Sequence, residues 1–292
     1  MKTVYFLVQG QFGNNLFQYF AAEIMKKIYG YDEVKLTFHI NLEFNTTIDD
    51  AAFKMICARY MSGNIAQIDT SKDILLMGFF QRSEIFEWER EYIRSLFTKD
   101  NMNNISNRIK IGNIITYQTK HTIQPTAKDL TLHLRCGDFW NPTQEWYDTF
   151  TVRPISEQRQ SQIFDPAYLK EIVKSIPYDK LYIVANKSEH AWEKEYYNHF
   201  EELNPIWING NLGDDFAFLM NSNQIITSAS TMSYLAAYLG NASTVHIPYN
   251  YFYGGAQGNG QHLAEFNDKC IVHYRDEYWV PQKIEIKSQP NE

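Results

Sequence analysis

The sequence predicts an α/β fold with a parallel, Rossmann-like sheet, and two observations carry that prediction. After residue 128, short apolar strand segments alternate with segments whose apolar residues repeat at helical spacing. At the N terminus, a strand candidate at 3–8 is followed by a glycine turn and then by a helix pattern in residues 16–28. Alternation of this kind is typical of parallel sheets with helices between the strands.

The N-terminal half begins with the run TVYFLV, whose β-branched and aromatic residues predict a buried strand. In the helix after it, Asn14 or Asn15 is expected to cap the N terminus, and Gly30 is expected to end the last turn. We interpret residues 31 to about 110 mostly as helix and loop, with one apolar stretch at 74–80.

The second half carries the alternation and is expected to form a domain of its own. The segment 101–128 is rich in Asn, Thr and Lys and is less periodic, so we place the boundary between domains 1–127 and 128–292 at its end. Strands are predicted at 130–135, 180–185, 205–208, 224–227 and 244–248, and helices at 166–175, 188–200, 214–221 and 231–239.

Bulk composition excludes several classes of protein. No apolar run approaches the roughly 20 residues that span a bilayer and no secretory signal is visible, so we expect a cytoplasmic protein, with peripheral association at the inner face of the membrane still open. The net charge of −7 argues against broad binding to nucleic acid. The three cysteines form no CxxC pair and are interpreted as reduced, buried thiols.

The segment GQFGNN is the first of three patterns that suit an anion. A strand followed by glycines and a helix start, here with Gly10 and Gly13, brings free backbone N–H groups and the positive end of a helix to one point. The spacing is not GxGxxG and no ribose-binding acid follows, which argues against an NAD enzyme. A plain tight turn is the alternative interpretation.

The segment TLHLRCGDFW places Arg135 at the carboxyl end of a predicted core strand. Ligands of open α/β sheets bind outside these strand ends, and an arginine fork suits a pyrophosphate there. Gly137 would let the backbone approach the ligand closely. The alternative is a structural pair of Arg135 and Asp138 on a surface turn.

The third pattern, at 213–240, contains two predicted helix starts. One begins at Asp214 and Asp215, and the other follows a strand and carries the hydroxyls of Ser228, Ser230 and Thr231. Hydroxyl and N–H groups at a helix start bind phosphate or ribose oxygens, and Asp215 can accept hydrogen bonds from the edge of a base. Two ordinary helix caps are the alternative.

These three segments together resemble motifs of the bacterial α-1,2-fucosyltransferases and, more distantly, of the α-1,6- and protein-O-fucosyltransferases. GQFGNNLFQY is similar to their GGLGNQMFQY, and HLRCGDF is similar to their HxRRGDY. DDFAFLMNSNQIITSASTMSYLAAYL is similar to their DLxLMSxCKHxIxxNSSFSWWAAWL. The blocks occur in the family's order and together span nearly the whole chain. The resemblance implies a GT-B-like fold, in which two Rossmann-like domains face each other across a nucleotide-sugar cleft.

The resemblance also implies roles for residues of the C-terminal domain. Arg135 matches the arginine that holds the β-phosphate of GDP-fucose, and His133 matches the histidine near the guanosine. Asp215 matches an aspartate that reads guanine, while Ser230 and Thr231 match hydroxyls on the phosphate side.

On the N-terminal side, expected to face the acceptor, Gly10, Gly13 and Asn14 match the family's loop that faces the pyrophosphate. One departure concerns charge, because Cys136 stands where the family usually has a second arginine. The protein-O-fucosyltransferases also manage with one arginine, so this change does not exclude activity.

The family inverts the anomeric carbon of fucose without a metal, and this sequence has no DxD motif. Leaving-group charge would then be stabilised by Arg135, helix ends and backbone N–H groups. Asp138 is the first candidate for a base that deprotonates the acceptor, and Glu145 or Asp148 is the second. Holding the Arg135 loop is the structural alternative for Asp138.

The resemblance implies GDP-fucose as donor and a galactose-containing oligosaccharide or lipid-linked glycan as acceptor, with transfer to galactose O2. The aromatic and glycine-rich segment 249–262 is interpreted as an acceptor loop, with Tyr251 or Tyr253 stacking on sugar, or as an ordinary surface loop. Two alternatives stay open: a glycosyltransferase that uses another nucleotide sugar, and a non-catalytic protein that binds a sugar nucleotide or glycan.

Overall fold

The computed structural model describes residues 1–39, 44, 46–97, 108–111, 115–118, 123–136, 163–186, 191–248 and 269–273. Within these residues the chain forms two parallel β-sheets, each accompanied by helices, together with one short antiparallel hairpin. This architecture confirms the predicted α/β class and its GT-B-like arrangement of two α/β units. The domain boundary at 127/128 stays a prediction.

The N-terminal sheet has four parallel strands in the order β2-β1-β4-β3. Its strands are β1 (Thr3–Leu7), β2 (Glu33–Thr37), β3 (Thr46–Asp49) and β4 (Ile74–Met77). Its helices are α1 (Phe12–Tyr29), α2 (Asp50–Met61), α3 (Ser83–Trp88) and α4 (Arg90–Ser95). The hairpin consists of β5 (Arg108–Ile111) and β6 (Ile115–Gln118).

The interpretation of residues 31 to about 110 as mostly helix and loop missed three of the four strands of this sheet, which lie there. Strand β2 is short and half-exposed, and its sequence EVKLT carries two charged residues, so it lacks the apolar run that marks a buried strand. Its backbone pairs with β1 over the whole length of both strands, and this tertiary pairing overrides the weak local signal.

The C-terminal sheet has six parallel strands in the order β12-β11-β10-β7-β8-β9. Its strands are β7 (Leu130–His133), β8 (Leu181–Val184), β9 (Ile206–Ile208), β10 (Gln224–Ile226), β11 (Thr244–Pro248) and β12 (Cys270–His273). Its helices are α5 (Pro166–Ser175), α6 (Ala191–Asn198), α7 (Leu212–Asn221) and α8 (Thr231–Leu239). Within the described residues of this half, every predicted strand and helix is therefore confirmed to within a few residues, and β12 was not predicted.

Each sheet has one point where the order of its strands reverses. In the C-terminal sheet the chain builds β7, β8 and β9 in one direction and then returns to place β10 on the other side of β7. In the N-terminal sheet β1 and β2 come first, and β4 then lies on the other side of β1. Ligands of parallel sheets bind outside the carboxyl ends of the strands at these reversal points.

Helices of the two halves pack against each other. The ring of Phe12 in α1 meets Phe216 of α7 edge-on, with the ring centroids 5.0 Å apart. At the far end of the contact, the Arg90 guanidinium donates to the carbonyl oxygen of Tyr238 over 3.0 Å and lies 5.1 Å from the centre of its ring. The Tyr238 hydroxyl in turn donates to the carbonyl oxygen of Phe86. The buried apolar residues of both halves form one continuous core.

The two halves approach each other closely at Gly13. A β-carbon added there would lie 2.6 Å from the backbone nitrogen of Met232 and closer still to Thr231 Oγ1. Both partners belong to the first turn of α8, and Gly13 belongs to the first turn of α1. Only glycine lets these two helix starts touch, because real side chains do not tolerate contacts this short.

No helix in the described part of the chain has the length and apolarity needed to cross a membrane.

We predict that alanine and asparagine rank in opposite order as replacements at Gly13 and at Gly30. Gly30 ends α1 with a φ of 68°, and a side chain added there would meet open space. At Gly13 the cost is steric, so Gly13→Ala should lower the free energy of unfolding by about 1–3 kcal/mol, and Gly13→Asn by more. At Gly30 the cost is conformational, so Gly30→Asn should be tolerated better than Gly30→Ala. Urea unfolding of the four variants measures this. The same order at both sites would contradict the close approach of α1 and α8.

Candidate functional site

A cleft of about 610 Å³ opens where the two reversal points face each other. This volume is in the range of small-molecule sites. The cleft is lined by all the predicted site residues that the structure describes, namely Gly10, Gly13, Asn14, His133, Arg135, Asp215, Ser230 and Thr231. The proposed bases Asp138, Glu145 and Asp148, together with Gly137, Tyr251 and Tyr253, lie outside the described residues.

Helix α1 begins earlier than expected. Its N-cap residue is Gln11, no described side chain caps its first turn, and the expected cap Asn14 lies inside the helix. The amide of Asn14 is used elsewhere, because its Oδ1 accepts a hydrogen bond of 2.8 Å from Gln81 Nε2. Gly10 precedes the helix with a φ of 73°, a backbone conformation that favours glycine. The prediction that Asn14 or Asn15 caps the helix is therefore wrong.

The end of β7 delivers a neutral histidine and a cation to the cleft. His133 is buried, and its Nδ1 lies 2.6 Å from the hydroxyl oxygen of Ser228 beyond β10. Burial and, to a smaller extent, the neighbouring Arg135 guanidinium together lower the pKa of His133 to about 3. The imidazole is thus uncharged at neutral pH and serves as a fixed hydrogen-bonding group. Arg135, two residues on, is half-buried in the wall of the cleft.

Cys136, the residue after Arg135, is buried beside Tyr197. Burial raises the pKa of its thiol to about 12, so the sulfur stays protonated near neutral pH and is not a nucleophile. The Tyr197 hydroxyl donates to the carbonyl oxygen of Asn186 over 3.2 Å, which fixes the ring behind the thiol. This arrangement supports the wall next to Arg135 with packing rather than with a second charge.

Helix α7 starts at Leu212, not at Asp214 as predicted. Asn211 is the N-cap, and its side chain accepts from the backbone N–H of Asp214 over 3.0 Å, while Asp214 completes a capping box. Asp215 is one residue further on and does not belong to this box. One of its carboxylate oxygens, Oδ1, accepts from the backbone N–H of Gly210 over 3.0 Å. Asp215 therefore lines the cleft and also holds the β9–α7 loop.

Helix α8 starts as predicted. Ser230 is its N-cap, and its Oγ accepts from the backbone N–H of Met232 over 3.2 Å. The hydroxyl of Ser230 keeps its own proton for donation. Ser233 donates to the carbonyl oxygen of Ser230 and so stiffens the turn between β10 and the helix.

The charge distribution of the cleft favours an anion. The first turns of α1 and α8 contain no acidic residue, whereas that of α7 contains two. Two uncompensated helix N termini therefore meet at Gly13, and Arg135 adds a full positive charge nearby. Among the described residues, no three His, Cys, Asp or Glu side chains lie close enough to hold a metal ion.

Sequence reasoning missed several residues of the wall. Two of them, Phe79 and Gln81, lie in the turn after β4. The sequence marks β4 only as an apolar stretch, and this pattern does not predict that β4 lies beside β1. The amide of Asn186 was also missed, because it follows a strand without any recognisable motif.

No protein-family model and no curated protein matches the chain. Among solved structures, it is similar to E. coli heptosyltransferase WaaC with ADP-2-deoxy-2-fluoro heptose, with a TM-score of 0.37 and 10% identity, covering 93% of each chain. It is also similar to POFUT1 in complex with GDP-fucose, with a TM-score of 0.31 and 9% identity, covering 82% of this chain and 72% of POFUT1. Likeness at this level does not identify a donor or an acceptor, so the function is inferred from the cleft itself.

We predict that His133 makes the protein less stable in mild acid. The unfolded histidine has an ordinary pKa of about 6.5 and takes up a proton below it, whereas the folded one stays neutral down to about pH 3. Stability should therefore fall as the pH drops below about 6.5. Between pH 7 and pH 5 this group should account for about 2 kcal/mol of the loss.

Urea unfolding of the wild type and of His133→Asn at both pH values measures this contribution. The variant should lose less stability on acidification than the wild type, whatever its stability at pH 7. Equal losses in the two proteins would show that His133 is not held neutral.

Proposed function

We propose that the chain is an inverting, metal-independent fucosyltransferase that moves L-fucose from GDP-β-L-fucose to O2 of a galactose-containing glycan. One observation carries the proposal. Residues from three sequence motifs that lie far apart in the chain line a single cleft. This cleft opens where the reversal points of the two parallel sheets face each other. The choice of GDP-fucose and of galactose rests on the resemblance of those motifs.

The diphosphate is assigned to the point where α1 and α8 meet. Backbone N–H groups of two helix starts approach each other there across Gly13, and the Ser230 hydroxyl and Arg135 are part of the same wall. Such preorganised donors stabilise charge that develops on a leaving group, and no reorganisation is needed at the moment of reaction. With these donors in place, the proposed reaction has no step that depends on a divalent cation.

The guanine base is assigned to the side of the cleft that holds Asp215. A carboxylate accepts hydrogen bonds from the N–H groups on the edge of guanine, a pattern that uracil does not present in the same way. The Oδ1 atom of Asp215 already accepts a hydrogen bond from the backbone N–H of Gly210, which orients the carboxylate. We assign His133, neutral and hydrogen-bonded to Ser228, as a contact to the ribose or the phosphates.

In the proposed reaction the acceptor oxygen attacks the anomeric carbon of fucose as the bond from that carbon to the β-phosphate oxygen breaks. The electron pair of the broken bond leaves with GDP, and the β-linked donor gives an α-linked product. The proton of the acceptor hydroxyl passes to a base, for which Asp138 is proposed. Negative charge accumulates on the β-phosphate during this step, so the Arg135 contact strengthens in the transition state.

We predict that Arg135→Lys lowers turnover more than it lowers GDP affinity. Lysine keeps the charge but loses the planar fork that binds two phosphate oxygens at once. The drop in kcat should be on the order of a hundredfold or more. The measurement is transfer from GDP-fucose to lactose in EDTA for wild type, Arg135→Lys and Arg135→Ala, with circular dichroism to confirm folding.

A folded Arg135→Ala protein that keeps most of its kcat would make Arg135 structural. If the wild type has no activity in EDTA but gains it with Mg²⁺ or Mn²⁺, the metal-independent mechanism is wrong. Turnover of a UDP-sugar in place of GDP-fucose would move the assignment to another donor. GDP binding with no turnover of any donor would instead favour a non-catalytic binding protein.

A second prediction separates Asp215 from its neighbour Asp214, which caps α7 and does not line the cleft. Asp215→Ala should weaken GDP binding about 10- to 100-fold and UDP binding little, because the loss of a charged hydrogen bond costs roughly 1.5–3 kcal/mol. Asp214→Ala should lower stability and leave the preference for GDP over UDP unchanged. Calorimetric titration of both variants with both nucleotides decides between the roles. Equal loss of GDP and UDP affinity in Asp215→Ala would make Asp215 a loop-holding residue only.

A further inference from the structure

The turn after β4, comprising residues 78–81 and called here the β4 turn, is held rigidly from two helices. The Asp50 carboxylate at the start of α2 accepts from the backbone N–H of Phe79 over 3.1 Å and from that of Phe80 over 2.7 Å. Gln18 of α1 donates to the carbonyl oxygen of Gly78 over 2.9 Å. A β-carbon at Gly78 would come within 2.8 Å of Asp50 Cγ, so glycine is required for the turn to reach the carboxylate.

The backbone of the β4 turn sends consecutive side chains in different directions. Phe80 has a φ of 53°, a left-handed conformation that a bulky residue adopts only where its surroundings impose it. Its ring is fully buried and packs edge-on against Phe53, with centroids 5.1 Å apart. Phe79, by contrast, is 39% exposed and lines the cleft. The turn therefore presents one aromatic ring to the cleft on a fixed support.

Next to this ring lies a buried hydrogen-bond acceptor that lacks a donor. Gln81 is only 5% exposed, and its Nε2 donates to Asn14 Oδ1, which fixes the amide against the first turn of α1. Its Oε1 is buried and has no hydrogen-bond partner among the described residues. Leaving a buried acceptor unpaired is unfavourable, and such groups in native proteins call for a specific partner. A ligand that brings an O–H group to this wall would supply one.

The chemistry of this wall differs from that of the wall opposite. The described residues that the N-terminal half contributes to the cleft carry no charged side chain, whereas the C-terminal half contributes Arg135 and Asp215. An aromatic face beside an amide oxygen suits a neutral ring with C–H bonds on one face and hydroxyls at its edge. A pyranose has that form, and a phosphate does not.

We propose that Phe79 and Gln81 form a subsite for a neutral pyranose ring, with a C–H face of the sugar on Phe79 and one sugar hydroxyl donating to Gln81 Oε1. Asp50 is a positioning residue that holds both through the β4 turn. The subsite rests on the glycosyltransferase function proposed above, and it takes either the sugar of the donor or that of the acceptor. The two sources are separated by the ligands used in the test.

The test compares Gln81→Met and Phe79→Ala with two controls outside the cleft, the exposed Gln67→Met and Trp88→Ala. Methionine keeps the length of glutamine but offers no comparable acceptor. Both cleft variants should keep their GDP affinity within about twofold and weaken a sugar-containing ligand by about tenfold. That is the size of one lost hydrogen bond in Gln81→Met and of one lost aromatic contact in Phe79→Ala. A fall in GDP-fucose affinity identifies the donor sugar, and a rise in KM for lactose at saturating GDP-fucose identifies the acceptor. Gln81→Glu retains an acceptor oxygen and should recover part of the loss.

The subsite can also be tested without the nucleotide, by saturation-transfer NMR of methyl α-L-fucoside and methyl β-D-galactoside on the wild type and on Gln81→Met. Contact signals that disappear in the variant support the subsite even if the chain binds no GDP, in which case only the proposed function fails. Sugar binding and KM unchanged in both folded cleft variants would overturn the subsite, and so would an equal fall in GDP affinity.

Discussion

The close approach of two helix starts at Gly13 is the constraint on which the rest of the site depends. Helices α1 and α8 each present a partial positive charge at this end, and neither carries an acidic residue in its first turn. Like charges do not hold these ends together. Packing does, through the rings of Phe12 and Phe216 and the Arg90–Tyr238 contact at the far side. Packing of the shared core thus keeps the two positive helix ends side by side, and an anion can bind between them.

Two walls of different chemistry follow from the two facing sheets. The C-terminal wall is built from strand ends and helix caps that suit charged and hydrogen-bonding groups, with Arg135 beside a neutral His133. The N-terminal wall is built from the glycine turn after β1 and the β4 turn, which offer backbone, amide and aromatic surface. A ligand with a charged half and a neutral, hydroxyl-rich half matches this division, and a nucleotide sugar with its acceptor has that composition.

The sequence predicted the C-terminal half well because its central strands β7, β8, β10 and β11 are almost wholly buried. Its helices α5, α7 and α8 also begin at polar N-cap residues. Arg135, Ser230 and Thr231 could be named because they follow such strands directly. The N-terminal half was harder, since β2 carries charged residues and only one of the four residues of β3 is buried. Gln81 could not be identified from sequence at all, because its role depends on the contact with Asn14 and on the strained backbone of Phe80. Tertiary pairing rather than local pattern places these residues.

Amide hydrogen exchange with and without GDP, in EDTA, tests the central claim most directly. If one diphosphate binds where the two helices meet, GDP should slow exchange in the first turn of α1, at 12–14, and in the first turn of α8, at 231–233, over the same range of GDP concentration. The last turns of the same helices should be unaffected and serve as the internal reference. Protection confined to one helix, or absent from both while GDP binds elsewhere, would contradict a site built from both halves.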